Sequence, residues 1–304
     1  MNFSDQIVCA YLYAITKYGY PPSVESTLTQ IEEMAALGFS SIELEGIRED
    51  HLAGIYAMKD EISKKVKRKD LTVPYFCGVL PALSSLDSHI RDEQLKLFEM
   101  ACEVASVFNS IGVLDNAPLP PFQFPADIPI VRHYDEDTLN AAYWSKEVSW
   151  DRYWDQLVNT YRTACEIANQ YQLKYVMHPA VGVLASGTDS FLRFHDAVKM
   201  DNLRFNFDTA NQFVMKENLS LALRRLKDHV DYIHISDNGG TQMEHLAIGQ
   251  GKIRWDVFFE TLETIDFRGH VGIDIGGAES DVEDLNAAYK NAGRFVSDHW
   301  HIFR

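Results

Sequence analysis

Hydrophobic and polar positions alternate with period two in four short stretches of the second half of the chain: Lys174–Pro179, Arg204–Asn211, Tyr232–Asn238 and Val271–Gly276. A strand turns successive side chains to opposite faces. Tyr175 and Met177 therefore oppose Lys174, Val176 and His178, and Phe205 and Phe207 oppose Arg204, Asn206 and Asp208. Likewise Ile233 and Ile235 oppose Tyr232, His234 and Ser236, while Val271, Ile273 and Ile275 oppose Gly272, Asp274 and Gly276. Each stretch thus offers one metal-capable side chain near its carboxyl end, on the face opposite most of the bulky apolar residues: His178, Asp208, His234 and Asp274.

The rest of the chain alternates in the same way between strand and helix patterns. A first strand is expected over about 6–15. Ser23 can cap a helix along which Val24, Leu28, Ile31 and Ala35 recur at helical spacing, and Gly38 stops it. Further strands are expected at Ser41–Gly46, about 71–79 and Ser110–Asn116. Helices are expected through the charged stretch ending Lys64–Lys69 and over about 87–108, 151–171 and 188–200. Three later helices carry the stripes Leu219, Ala222, Leu226, Val230; Trp255, Phe258, Phe259, Leu262; and Leu285, Ala288, Tyr289, Ala292, Phe295. A proline-rich insertion from Pro118 to about Ser149 is long enough to serve as a lid or substrate wall.

Regular strand–helix alternation implies a parallel sheet. Eight units in 304 residues, with no linker dividing them, predict an α/β fold: a single (β/α)8 TIM barrel with a closed parallel sheet over residues 1–304. An open doubly wound sheet would call for a glycine-rich phosphate loop after the first strand, and no such pattern is present there.

Composition narrows the function classes. With 46% hydrophobic residues a large core is possible, and the net charge of −16 argues against gripping nucleic acid or an anionic membrane. The basic run Lys64–Lys69 reads as a solvated helix end, favoured there by the helix dipole. Four widely spaced cysteines, Cys9, Cys77, Cys102 and Cys165, suggest reduced thiols and a cytoplasmic location. The apolar run Ile7–Ile15 has no basic segment before it and reads as a strand, not a signal peptide. No run approaches the roughly 20 apolar residues of a membrane helix.

Barrel chemistry sits at the carboxyl ends of the strands. Two histidines and two aspartates there suit a divalent metal such as Mn²⁺, Zn²⁺, Fe²⁺ or Co²⁺. Taken singly, each has a structural alternative: His178 as a hydrogen-bonded core histidine, Asp208 as a strand-end cap, Asp274 as a turn residue. Glu43 and Glu45 share one face of the second strand, opposite Ile42 and Leu44. Glu45 is nearer the mouth, where it serves either as a base or hydroxyl ligand or in a salt bridge.

The segments Phe205–Asn211 (Phe-Asn-Phe-Asp-Thr-Ala-Asn), Tyr232–Asp237 (Tyr-Ile-His-Ile-Ser-Asp) and Ile248–Trp255 (Ile-Gly-Gln-Gly-Lys-Ile-Arg-Trp), in this order, resemble the xylose isomerase-like superfamily. That group holds sugar isomerases, sugar epimerases, inosose dehydratases and endonuclease IV, and the resemblance covers essentially the whole chain. It implies a metal held by Glu, Asp, His and Glu from strands five to eight. Asp208 and His234 match this pattern, and Asp274 stands where the last Glu is usual. Many relatives read Glu-x-His-Pro on strand five; this chain has Val176 in the Glu position and keeps His178, which can take over ligation. Asn211 replaces a common His.

The resemblance further implies proton transfer through an enediolate, with two carboxylates acting on opposite faces of the substrate. Val176 removes one of that pair. Two assignments stay open: His178 as fourth ligand with Asp274 as base, or His178 as base over a three-ligand metal. Asn116, Asn211, Asp237 and His245 are candidate substrate-binding residues. Tyr11, Tyr13, Phe76 and Trp144 either cover a sugar face or belong to the core, and His299 and His301 suggest a surface role. The expected function is a metal-dependent isomerase or epimerase of a small keto-sugar or related polyol. The alternatives are a lyase like the inosose dehydratases, a DNA-repair endonuclease, which the acidic charge disfavours, and a non-catalytic sugar binder. The expected partners are a small carbohydrate without a phosphate, since no Arg/Lys cradle is evident, and by analogy other copies in a homo-oligomer.

Overall fold

The computed structural model describes residues 3–125 and 135–300. Its strands are β1 (Ile7–Cys9), β2 (Ser41–Ile42), β3 (Leu44–Ile47), β4 (Tyr75–Val79), β5 (Gly112–Asn116), β6 (Lys174–His178), β7 (Leu203–Asp208), β8 (Val230–Ile235) and β9 (His270–Ile273). They form one sheet in the order β2-β1-β9-β8-β7-β6-β5-β4-β3, and every pairing is parallel. The two end segments, β2 and β3, are halves of a single barrel strand interrupted only at Glu43. One half pairs with β1 and the other with β4, so the sheet closes on itself as eight barrel strands. Below the break the seam is sealed by Ile42 N–H to Thr72 O at 3.0 Å and Thr72 N–H to Ser40 O at 2.9 Å.

The period-two alternation sets what lies on each side of this wall. Tyr175, Phe205, Phe207, Ile233, Val271 and Ile273 are buried among the helices. Phe205 packs on Phe191 of α7 (Thr188–Val198), and Tyr175 on Phe98 of α4 (Ser88–Val107) and Tyr161 of α6 (Trp150–Gln170). The outer layer is completed by α2 (Thr27–Ala36), α3 (Arg48–Arg68), α9 (Leu219–Leu226), α10 (Trp255–Thr264) and α11 (Leu285–His299). Inside the barrel, Tyr75 stacks on Tyr232 with ring centroids 4.2 Å apart. At the amino-terminal end Lys174 and Arg204 both pair with Asp231, at 2.8 and 2.6 Å. The Tyr75–Tyr232 stack thus fills the lumen below the mouth.

Three segments differ from the sequence expectation. The first strand stops at Cys9, and Leu12–Tyr18 forms a short helix, α1. Residues 7–14 are all buried, so the run lacks the period that separates a strand from a buried helix. Val230 opens β8 and does not extend the stripe of α9, which ends at Leu226. Thr209–Val214 is a short helix, α8, because the Asp208 side chain caps it by accepting the Asn211 N–H at 2.8 Å.

Of the expected insertion, residues 126–134 lie outside the described residues. The remainder contains a bridge between Gln123 and Tyr143 and a short helix, α5 (Glu136–Ala141). Trp144 packs against Trp150 and Tyr153, with centroids 5.9 and 5.5 Å away. It therefore belongs to an aromatic cluster on α6. All four cysteines are free and buried, and among the described residues no helix is long and apolar enough to cross a membrane.

The second barrel strand is tied to the helix that follows it by His51, whose Nδ1 accepts the Ile47 N–H at 2.9 Å. Burial pushes the His51 pKa down from 6.5 to about 4. Protonation would also destroy the acceptor. Because the folded-state value is the lower one, the unfolded chain binds more protons in this interval. The contribution of His51 to stability is therefore complete above about pH 6.5 and is lost as pH falls through about 4. Urea unfolding between pH 7 and 4 should show part of this acid sensitivity removed in His51→Asn, which keeps an acceptor that does not titrate. Equal pH slopes in the two proteins would contradict the assignment.

Candidate functional site

Closure of the barrel brings the four strand-end residues together. His178 ends β6, Asp208 ends β7, His234 lies on β8 and Asp274 directly follows β9. The parallel ladders set Asp208 beside His234 and Asn116 beside His178. One ligand atom from each of His178, Asp208, His234 and Asp274 lies within 4.8 Å of the others, and all four residues are buried. They sit under a cleft of about 560 Å³, counting its open mouth. Polar groups of Glu43, Glu45, Asn116, His178, His234 and Asp274 line it, together with apolar Leu12, Ile15, Val79 and Leu114 and the ring of Tyr20.

Charge is concentrated here. His178 Nε2 is 3.4 Å from Asp208 Oδ2, and His234 Nδ1 is 3.8 Å from Asp274 Oδ2. Burial disfavours the Asp208 carboxylate, but the histidines outweigh it and hold its pKa well below the usual range: His178 by hydrogen bonding and charge, His245 and His234 by charge. Burial likewise disfavours charged His234, yet Glu43, Asp274 and Asp208 push its pKa up to about 9. Glu43 is lowered: burial opposes its charge, and His234 together with the Tyr232 hydroxyl more than compensates.

Among the described residues, His234 Nδ1, on the side of the ring facing Asp274, is buried without a hydrogen-bond partner. Buried polar atoms are normally satisfied, so an imidazole nitrogen left open toward the carboxylates of this centre points to a missing ligand. Two imidazoles and two carboxylates are a donor set that suits a divalent cation.

Of the residues predicted to bind substrate, Asn116 and Glu45 line the cleft. Asp237 does not. Its two oxygens accept four N–H groups: those of Asn238 at 2.9 Å, Ile253 at 3.2 Å and Gly249 at 2.8 Å, and the Trp255 indole at 3.0 Å. With its acceptors engaged, Asp237 organises the 248–255 loop. His245 is also absent from the cleft wall and is fully buried, with Nδ1 2.9 Å from the Ser236 hydroxyl and 3.4 Å from Asp274 Oδ2. It supports Asp274 from behind. Asn211 is buried within α8 and gives its backbone N–H to Asp208. Val176 is a buried wall residue two positions below His178. Tyr11, Tyr13 and Phe76 are core residues, while His299 is exposed and His301 lies outside the described residues.

Sequence reasoning assigns Glu43 no role beyond its place on the same strand face as Glu45. One Glu43 oxygen lies 2.7 Å from the Tyr232 hydroxyl and 3.0 Å from His234 Nε2. Leu12 and Ile15 are cleft residues that an extended first strand over 6–15 conceals, because they lie on α1, and Tyr20, just beyond that helix, carries no sequence signal of its own.

Residues 31–297 match the family described as xylose isomerase-like TIM barrel. An uncharacterized protein of Methanocaldococcus jannaschii is 29% identical over 142 residues, a match spanning 43% of this chain and 46% of that protein. The chain thus matches about half the length of that relative. Among solved structures, the 3-keto-D-glucoside 4-epimerase of E. coli superposes with a TM-score of 0.73 at 16% identity, covering 96% of this chain and 99% of that one. A D-allulose 3-epimerase from Methylomonas sp. gives 0.72 at 16% identity, covering 98% and 100%. A D-psicose 3-epimerase from Clostridium cellulolyticum H10 gives 0.72 at 15%, covering 97% and 99%. At such identities the superpositions establish the shared fold. With the family match extending over most of its length, the chain belongs to the xylose isomerase-like TIM-barrel family.

Proposed function

We propose that the cleft is the active site of a divalent-metal-dependent isomerase or epimerase acting on a small, unphosphorylated keto-sugar or related polyol. The observation that carries this reading is the convergence of His178, Asp208, His234 and Asp274 beneath a cleft that also exposes Glu45 and Asn116. Structurally similar proteins named as epimerases of keto-sugars support it. No Lys or Arg is among the described residues lining the cleft, which favours a neutral substrate.

His178, Asp208, His234 and Asp274 would hold the metal, which supplies a Lewis acid that polarises a carbonyl and stabilises the negative charge developing as a proton leaves the neighbouring carbon. The remaining work falls to side chains of this chain. Glu45 lines the cleft from the second barrel strand, one strand removed from Asp274 across β1. In this reading Glu45 takes the proton, Asp274 relays a proton from water to the carbon, and Glu45 then releases its own to solvent, so that the two replace the carboxylate pair that Val176 interrupts. Asn116 holds a hydroxyl by its amide, and the apolar wall of Leu12, Ile15, Val79 and Leu114 covers the C–H face and excludes water.

A panel of unphosphorylated ketopentoses and ketohexoses incubated with Mn²⁺ in D₂O tests this. The expected result is a product equal in mass to the substrate apart from incorporated deuterium. Glu45→Gln should lower kcat by roughly 10²–10⁴-fold while retaining the metal. A product lighter by one water would identify a lyase instead. Absence of both turnover and deuterium exchange across the panel would contradict the proposal.

A further inference from the structure

Among the carboxylates lining the cleft, Glu43 differs in that its hydrogen bonds are already committed to protein groups. It occupies the break between β2 and β3, and its own N–H is given to Cys9 O at 2.9 Å. The carboxylate is buried, with 1% exposure. A buried charge is tolerated only when paired and hydrogen-bonded. Four donors do this: the Tyr11 N–H at 3.3 Å on Oε1, the Tyr232 hydroxyl at 2.7 Å and His234 Nε2 at 3.0 Å on Oε2, and the Cys77 thiol.

The contact with His234 crosses the lumen. The second barrel strand and β8 are separated in the sheet by β1 and β9, and the two residues lie 191 positions apart. An ionised carboxylate accepts and does not donate. The proton on Nε2 therefore stays on Nε2, and the ring cannot turn without breaking that bond. Nδ1 faces the other way, 3.8 Å from Asp274 Oδ2 and without a hydrogen-bond partner among the described residues.

We infer that Glu43 is a positioning residue: it selects the Nε2–H tautomer of His234 and turns Nδ1 toward the His178, Asp208 and Asp274 side chains as a metal donor. A carboxylate held on the far nitrogen of a ligating imidazole orients the ring and raises its basicity, and removing such a partner costs roughly 10–100-fold in metal affinity. Glu43 thereby sets which nitrogen binds and how tightly, without touching the cleft chemistry itself. The inference rests on the metal site proposed above. It also separates the two glutamates of the second strand, with Glu45 facing substrate and Glu43 acting through His234.

The test uses zinc and full-length protein labelled with ¹⁵N at histidine. In the zinc-loaded wild type, long-range ¹H–¹⁵N correlation spectra should show His234 protonated at Nε2 with the metal shift on Nδ1. Glu43→Gln has a single acceptor oxygen for four donors and no charge. It should bind zinc roughly 10–100-fold more weakly, with an unchanged far-UV circular dichroism spectrum. Zinc on Nε2 in the wild type overturns the inference, and this readout decides the matter even if Glu43→Gln does not fold. Unaltered affinity in a folded Glu43→Gln also overturns it and leaves the metal site standing. A wild type that takes up no zinc overturns both.

Discussion

Two carboxylates and two imidazoles held within 4.8 Å of one another, nearly shut off from water, form the contact on which the rest of the architecture depends. Asp208 and Asp274 repel each other there, and desolvation disfavours each charge. Such an arrangement persists only if surrounding groups stabilise it. Asp208 receives the Asn211 N–H from the first turn of α8; His234 is held by Glu43; Asp274 lies against His245, itself hydrogen-bonded to Ser236. Each support comes from a different strand end or loop. Only a closed barrel brings them to one place, and the break in the second strand at Glu43 is where the wall admits the support for His234.

The supporting groups are as constrained as the centre. Asp237 has both oxygens engaged by the loop that ends at Trp255, and that loop's neighbour His245 reaches back under Asp274. Loop order and site geometry are therefore coupled through buried hydrogen bonds. At the opposite end of the barrel, Asp231 pairs with both Lys174 and Arg204, and the Tyr75–Tyr232 stack fills the lumen between. Tyr232 links the two ends, since its ring packs in the core and its hydroxyl bonds Glu43.

Much of this was legible in the sequence because a strand's period is two. That period put His178, Asp208, His234 and Asp274 on one face, and strand–helix alternation implied the barrel that joins them. Direction within loops was not legible. Asp237 and His245 have residue types suited to binding a sugar, but nothing local shows that their side chains turn inward to backbone N–H groups and to Asp274. The Glu43–His234 contact has no local signal, since it depends on curvature summed around the whole sheet. Helix α1 was hidden for another reason: residues 7–14 are uniformly buried, which erases the amphipathic pattern.

The central claim is that the four strand ends form a divalent-metal site. It is tested most directly by elemental analysis of the purified protein beside His234→Ala, after equilibration of each with Mn²⁺, Zn²⁺, Fe²⁺ and Co²⁺ in turn. The account predicts about one equivalent of metal per chain in the wild type and its loss in the variant. A wild-type protein that stays metal-free under all four conditions would contradict it, as would a His234→Ala protein that retains the full equivalent.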